Sequence, residues 1–228
     1  MTAPLTLPEP SAGADPTALL TLTQWLSPAF PLGSFAYSHG LETEIAAGRV
    51  QDADSLRAWV SVVLSEGAGR ADATLLAHAL RAGGDAARLT DLADLARALA
   101  PSRERWVETE AQGRALTLTV NAMTGAARPP MALPVALGAA AADLDLPVTQ
   151  VIALYLHSFA ANLVQAGVRF VPLGQTEGQA ALAALHPDVV ALAAACADAP
   201  LDMIATGAFG ADLAAMEHEV LEVRIFKT

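Results

Sequence analysis

Five histidines, His39, His78, His157, His186 and His218, and one cysteine, Cys196, are the side chains best suited to ligate a metal or relay a proton. Their spacing favours neither task. No pair forms His-x-x-x-His, and a single cysteine cannot form Cys-x-x-Cys. Glu217-His218-Glu219 concentrates three polar groups, but adjacent helical residues diverge by about 100° and do not close on one ion. His157, inside an apolar stretch, reads as a hydrogen-bonded core histidine, and His218 as a member of a solvated helix face. Gly174-Gln-Thr-Glu-Gly178 precedes a helix, yet it lacks the lysine of a phosphate loop, and Glu177 would repel a phosphate. Gly33-Ser34 lacks the Gly-x-Ser-x-Gly spacing of a nucleophile elbow. No metal or cofactor is expected. The enzymatic alternative is a small helical acid–base catalyst using His218, Glu217 or Glu42, and its acids and histidines do not converge in sequence spacing.

The elements that would position these groups are helical. Hydrophobic residues make up 54% of the 228 residues but aromatics only 5%. The core must therefore be built from Ala, Leu and Val, and Ala and Leu are strong helix formers. Leu56, Trp59, Val60, Val63 and Leu64 recur at one-sided helical spacing, as do Leu89, Leu92, Leu95, Ala96 and Leu99. Asp52 or Asp54 caps the first of these helices. Ser102 opens a longer helix with Arg103, Arg105 and Arg114 interleaved with Glu104, Glu108 and Glu110, which reads as a solvated face or an oriented charged contact. Pro129–Ala142 reads as a helix interrupted at Pro134, and Val148–Val168 as a buried central helix. Asp212 caps a final helix with Leu213, Met216, Val220 and Val223 on one side. The fold class predicted is all-α: a compact single-domain bundle of about ten helices spanning 17–228, preceded by a flexible tail over 1–16.

One stretch breaks the pattern. From Ser27 to Glu42, two prolines and two glycines surround Phe35 and Tyr37. Pro28 and Pro31 stop any helix, Gly33 admits a turn, and Ser38 can cap a new helix with Glu42 in its first turn. The product is a stiff loop that presents aromatic and polar side chains. Phe170–Gly178 reads as a second loop. The last residues place Arg224, Ile225 and Phe226 together, a bulky group that must dock on something.

Charge excludes some partners. With 24 acidic and 13 basic residues the net charge is −11, and no Lys/Arg cluster exists to meet nucleic acid or anionic lipid. The N-terminal stretch lacks the basic and apolar regions of a signal peptide. Val148–Val168 carries too many polar groups for a lipid-facing span. A cytoplasmic protein, with Cys196 reduced, is expected.

The unusual segments resemble the urease accessory protein UreF family. Ser27 to Glu42 matches its Ser-Pro-x-x-Pro-x-Gly-x-Phe-x-Tyr-Ser-x-Gly-Leu-Glu opening, with His39 where many relatives carry Gln. Arg103–Arg114 matches its Arg-Glu…Glu-Thr…Gly-Arg helix, Ala161–Gly178 its Val-Pro-Leu-Gly-Gln-Thr stretch, and Met216–Phe226 its Met-x-His-Glu…Arg-x-Phe close. The resemblance implies a non-catalytic, dimeric urease maturation chaperone. It would bind the UreD (UreH) scaffold, the UreG GTPase and the urease apoprotein to promote nickel insertion and regulate GTP hydrolysis. The segments assign partner binding to Ser34, Phe35, Tyr37, Ser38, His39, Glu42, Gln175, Glu177, Met216, His218, Glu219, Arg224 and Phe226. In particular, Arg224 is expected to fold back on the Tyr37 loop, with Phe226 as an apolar anchor, and Glu42 to contact the GTPase.

Overall fold

The structure is a computed structural model and describes residues 15–228. The predicted N-terminal tail lies outside the described residues except for Asp15 and Pro16, which already belong to the first helix: Asp15 accepts from Thr17 N, and Pro16 opens the turn. Among the described residues there are eleven α-helices and no strand: α1 (Pro16–Trp25), α2 (Leu41–Ala46), α3 (Ala53–Ser65), α4 (Ala68–Ala82), α5 (Ala86–Ala98), α6 (Arg103–Thr124), α7 (Leu133–Ala141), α8 (Val148–Phe170), α9 (Gln175–Ala184), α10 (His186–Ala197) and α11 (Phe209–His218). The all-helical class and the helix number agree with the periodicity of the sequence.

Local chemistry sets several boundaries. Asp52 accepts from Ser55 N at 2.8 Å while the Ser55 hydroxyl receives Asp52 N at 3.1 Å, a reciprocal cap for α3. Ser102 caps α6 through Arg105 N. Pro134 does not interrupt a helix but starts one, in the first turn of α7 where its missing N–H has no intrahelical role. Asp212 sits inside the first turn of α11 rather than before it. The second loop shortens to residues 171–174, because Gln175 already opens α9.

Helix α8 is the axis. The helices α2, α3, α4, α9 and α10 pack around it, while α7 is held between α4 and α6. The main core runs from Leu22 and Trp25 through Leu56, Val60, Leu76, Ile152, Leu156 and Leu163 to Phe226. A smaller core joins α4, α5 and α7 through Leu75, Leu92 and Val135. Two stretches are long and apolar enough to cross a bilayer, Val148–Phe170 and Gln175–Ala197; about half of each lies inside the bundle (50% and 44%), and the second is broken into α9 and α10. Helix α11 packs on α2 and α6. Gly40 permits that approach: its φ is +80°, and a Cβ there would stand 2.6 Å from Ala215 N of α11.

Candidate partner-binding site

The loop before α2 and the last residues of the chain form one unit. Lys227 N donates to Ala36 O at 2.8 Å, and Ser38 N donates to Thr228 O at 2.9 Å. The Ser38 hydroxyl also donates to that carbonyl. His39 N reaches Thr228 Oγ1 at 3.3 Å. The tail therefore runs beside the loop in extended pairing and satisfies backbone groups that the prolines and glycines leave without helical partners.

Three side chains of α2, α6 and α11 clamp the tail. Glu42 accepts from Ile225 N and Phe226 N, both at 2.9 Å. His218 is wholly buried and lies between two carboxylates, with Nδ1 2.7 Å from Glu104 Oε2 and Nε2 3.1 Å from Glu42 Oε2. Arg224 donates to the other Glu104 oxygen at 2.6 Å. Glu219 accepts Glu104 N at 3.2 Å. Phe226 is buried edge-on against Phe170, with ring centroids 5.1 Å apart. Full burial of such a side chain contributes about 1.5–3 kcal/mol.

Beneath the tail lies a buried polar network on α6. Arg105 and Glu108 are both buried and paired. His39 Nε2 stands 2.8 Å from Arg105 Nη1 and 2.8 Å from Glu108 Oε1. The His39 ring also packs edge-on to Phe159 at 4.7 Å. These contacts hold His39 in left-handed backbone geometry, φ 56°, a conformation accessible to histidine but disfavoured for most residues. Burial, with the Arg105 charge beside it, lowers the His39 pKa. Burial alone would raise Glu108, but Arg105 and His39 outweigh it and hold the carboxyl well below the ordinary range. Thr228 Oγ1 donates to Glu108 at 2.9 Å, which joins the tail to this network. Gln112 continues it, donating to Glu108 and accepting from Ser34 Oγ, each at 3.0 Å.

The predicted site residues divide by burial. Tyr37, Ser38, His39, His218 and Phe226 are buried and act on the fold of the loop and tail. Ser34 is half-buried and is fixed by Gln112 and by Asn162, which donates to Ser34 O at 2.8 Å. Phe35, Met216 and Arg224 face outward. Gln175 and Glu177 are also exposed, but Glu177 caps α9 by accepting Gly174 N at 2.8 Å, and no hydrogen bond from either residue reaches the tail cluster. Two expected contacts are replaced. The cation over the Tyr37 ring is Lys227, at 5.7 Å, because Arg224 pairs with Glu104. The Glu42 carboxylate is occupied by the tail backbone and His218 rather than presented outward. The α6 helix is likewise more than a solvated face: Arg103, Glu110 and Arg114 are exposed, while Arg105 and Glu108 are interior. Of the acid–base candidates, His218 and Glu42 do converge, at 3.1 Å, although their spacing in the sequence does not suggest it, and the Glu42 carboxylate also accepts the two tail amides; Glu217 is exposed and lies 3.9 Å from Arg49.

Sequence reasoning missed the acceptor roles of Glu104 and Glu108 and the clasp on Thr228. The available signal was the Arg105–Glu108–Gln112–Leu116 spacing, which puts the three polar groups on the same face as a core leucine. It also read Leu213, Met216, Val220 and Val223 as one side of a helix. The helix ends at His218, so Val220 and Val223 lie beyond it rather than on its side. These apolar residues are uncovered: Phe209 is 77% exposed, Val220 81%, Val223 76% and Ile225 66%, with Leu213 and Met216 about half exposed. Phe209, Leu213 and Met216 fall at i, i+4 and i+7, a single face of α11, and the uncovered Val220, Val223 and Ile225 follow in the segment after that helix. Apolar side chains grouped in this way mark an interaction surface.

Comparison with known proteins bears on this geometry. The UreF family model matches residues 50–186. A protein named urease accessory protein UreF from Cereibacter sphaeroides (strain KD131 / KCTC 12085) is 66% identical, over 92% of this chain and 99% of its own length. Proteins of the same name from Jannaschia sp. (strain CCS1) and Rhodopseudomonas palustris (strain BisA53) are 58% and 46% identical, each over 92% of this chain and over 94% and 93% of their own lengths. With a family model over more than half its length and relatives of this identity nearly end to end, the chain belongs to the UreF family of urease accessory proteins.

Proposed function

We propose that this protein is an adaptor of urease maturation. It binds the UreD (UreH) scaffold and the UreG GTPase, and the resulting assembly promotes nickel insertion into the urease apoprotein and regulates GTP hydrolysis by UreG. It acts in the cytoplasm as a homodimer and performs no catalysis of its own. The observation that carries this reading is the set of exposed apolar side chains on α11 and in the tail, a tail that Glu42, Glu104 and Glu108 bind and that pairs with the loop carrying Phe35. An apolar surface of this kind gains free energy when a partner covers it, while the hydrogen-bonded clamps keep it preorganised, so little ordering is required on association.

The reading assigns distinct work to the two groups of residues. Phe35, Met216, Arg224, Gln175 and Glu177 are available to touch partners. Tyr37, Ser38, His39, Glu42, His218, Glu219 and Phe226 position them. Co-expression of the urease gene set with Leu213→Asp in this chain tests the proposal. A charge at a half-exposed ridge position leaves the helix intact but opposes apolar contact. Urease activation should fall at least about tenfold, which corresponds to about 1.4 kcal/mol of lost contact. Full activation with the variant present at normal level would refute the role of the ridge.

A further inference from the structure

The histidines divide into two groups. His39 and His218 are held by carboxylate and arginine contacts, and His78 Nε2 meets Ala199 O at 2.9 Å. His157 of α8 and His186 of α10 show no hydrogen bond among the described residues; their rings face each other, with centroids 5.3 Å apart and planes at 58°. His157 is half-buried and His186 exposed. The expected core hydrogen bond of His157 is thus replaced by a second imidazole. Both helices are fixed in the bundle. α10 packs on α8, and Ser61 of α3 donates to Asp188 in the first turn of α10 at 3.2 Å.

Two imidazoles bound to one ion through bonds of about 2.0–2.1 Å at angles between square and tetrahedral bring their centroids to roughly 4.5–5.2 Å apart. The observed separation of 5.3 Å lies just above that range. We propose that His157 and His186 form a two-ligand site for a late first-row divalent cation such as Ni²⁺, Cu²⁺ or Zn²⁺. Imidazole nitrogen suits these ions better than hard Mg²⁺ or Ca²⁺, which prefer oxygen ligands. No cluster of three or more histidine, cysteine or acidic ligands occurs among the described residues. The remaining coordination positions therefore go to water or to an incoming ligand, and the ion exchanges readily. His157 and Phe159 lie about 200° apart around α8, so the histidine pair stands on a different side of that helix from the Phe159 ring on which His39 packs.

Equilibrium dialysis of the full chain against NiCl₂, CuCl₂ and ZnCl₂ tests the site. Wild type and His78→Ala should take up one ion, with Cu²⁺ tighter than Ni²⁺. His157→Gln and His186→Ala should each weaken uptake at least about tenfold at pH 7.5. Adding Ni²⁺ should also broaden the imidazole NMR signals of these two residues before any other. Absence of uptake by wild type, or equal uptake by the paired variants, would overturn the proposal and leave only ring stacking. Partner binding by His157→Gln should be unchanged, which separates failure here from failure of the adaptor reading.

Discussion

Removal of the Glu42 carboxylate should free the tail while the bundle stays folded. In Glu42→Ala, Ile225 N and Phe226 N lose their acceptors, both at 2.9 Å, and His218 loses one of its two carboxylates. Hydrogen bonds to a charged acceptor contribute about 1.5–3 kcal/mol each, but Ile225 is exposed and water can replace part of that loss. About 3 kcal/mol is therefore expected, or roughly a hundredfold in the opening equilibrium of the tail. Glu42→Gln keeps one carbonyl acceptor and should fall between wild type and Glu42→Ala. Amide hydrogen exchange reads this directly, since protection at Phe226 and Lys227, whose amides donate to Glu42 and to Ala36 O, should drop about a hundredfold while that of Leu156 and Leu163 in α8 holds. Trypsin should cut after Arg224 faster in the variant. Unchanged protection at Phe226 would refute the claim that Glu42 holds the tail. Global loss of helicity would refute the claim that the tail is separable from the bundle.

Further outcomes follow from the interior. Asp72 lies on α4, where burial pushes its carboxyl up to about 6 despite the hydrogen bond it accepts from Tyr155 at 2.7 Å. Because its folded pKa lies above the unfolded value, the folded state binds the extra proton, and this group makes stability fall as pH rises from about 4 to about 6. Asp72→Asn should remove that slope in denaturant titrations and raise stability at pH 7 by up to about 2 kcal/mol, allowing for solvent screening at a partly exposed group. Glu108 acts in the opposite sense: its lowered pKa gives stability that is present above the ordinary carboxylate range and lost as pH falls below it. Glu108→Gln should flatten the acid limb of the same titration. Gly40→Ala would drive a Cβ to within 2.6 Å of Ala215 N at a φ of +80°; calorimetry should show a loss of about 2–3 kcal/mol, whereas a loss under 0.5 kcal/mol would contradict the close approach of α11.

Much of this fold is legible in the residues. The α3 stripe appears as expected, with Leu56, Val60, Val63 and Leu64 buried, because a 3.6-residue period states which face is inside. Ser102 and Asp52 mark helix starts for the same local reason. Pro134 was misread because proline stops a helix in its middle and favours one at its start, and the sequence alone does not say which turn it occupies. The loop and tail were recognised as unusual, and their meeting was expected, but the pairing between them was not. Arg224 reaches Glu104 and Lys227 covers Tyr37; the choice between two cations three residues apart depends on tertiary placement. The pairing of Glu42 with a buried His218 was equally hidden. Their partners lie more than a hundred positions away in the chain, on elements whose docking angle no local pattern encodes. The uncovered α11 face shows the reverse problem, since an apolar stripe reads the same whether it faces a core or a partner.

The central claim is that the α11 ridge, locked to the Phe35 loop by the docked tail, is where partners attach. Size-exclusion chromatography with light scattering measures this most directly, using purified UreD and UreG with wild type and with Val223→Asp, whose side chain is 76% exposed. Wild type should form the ternary assembly, and Val223→Asp, with unchanged circular dichroism, should elute free of both partners. An assembly of the same mass and stoichiometry with the variant would contradict the account.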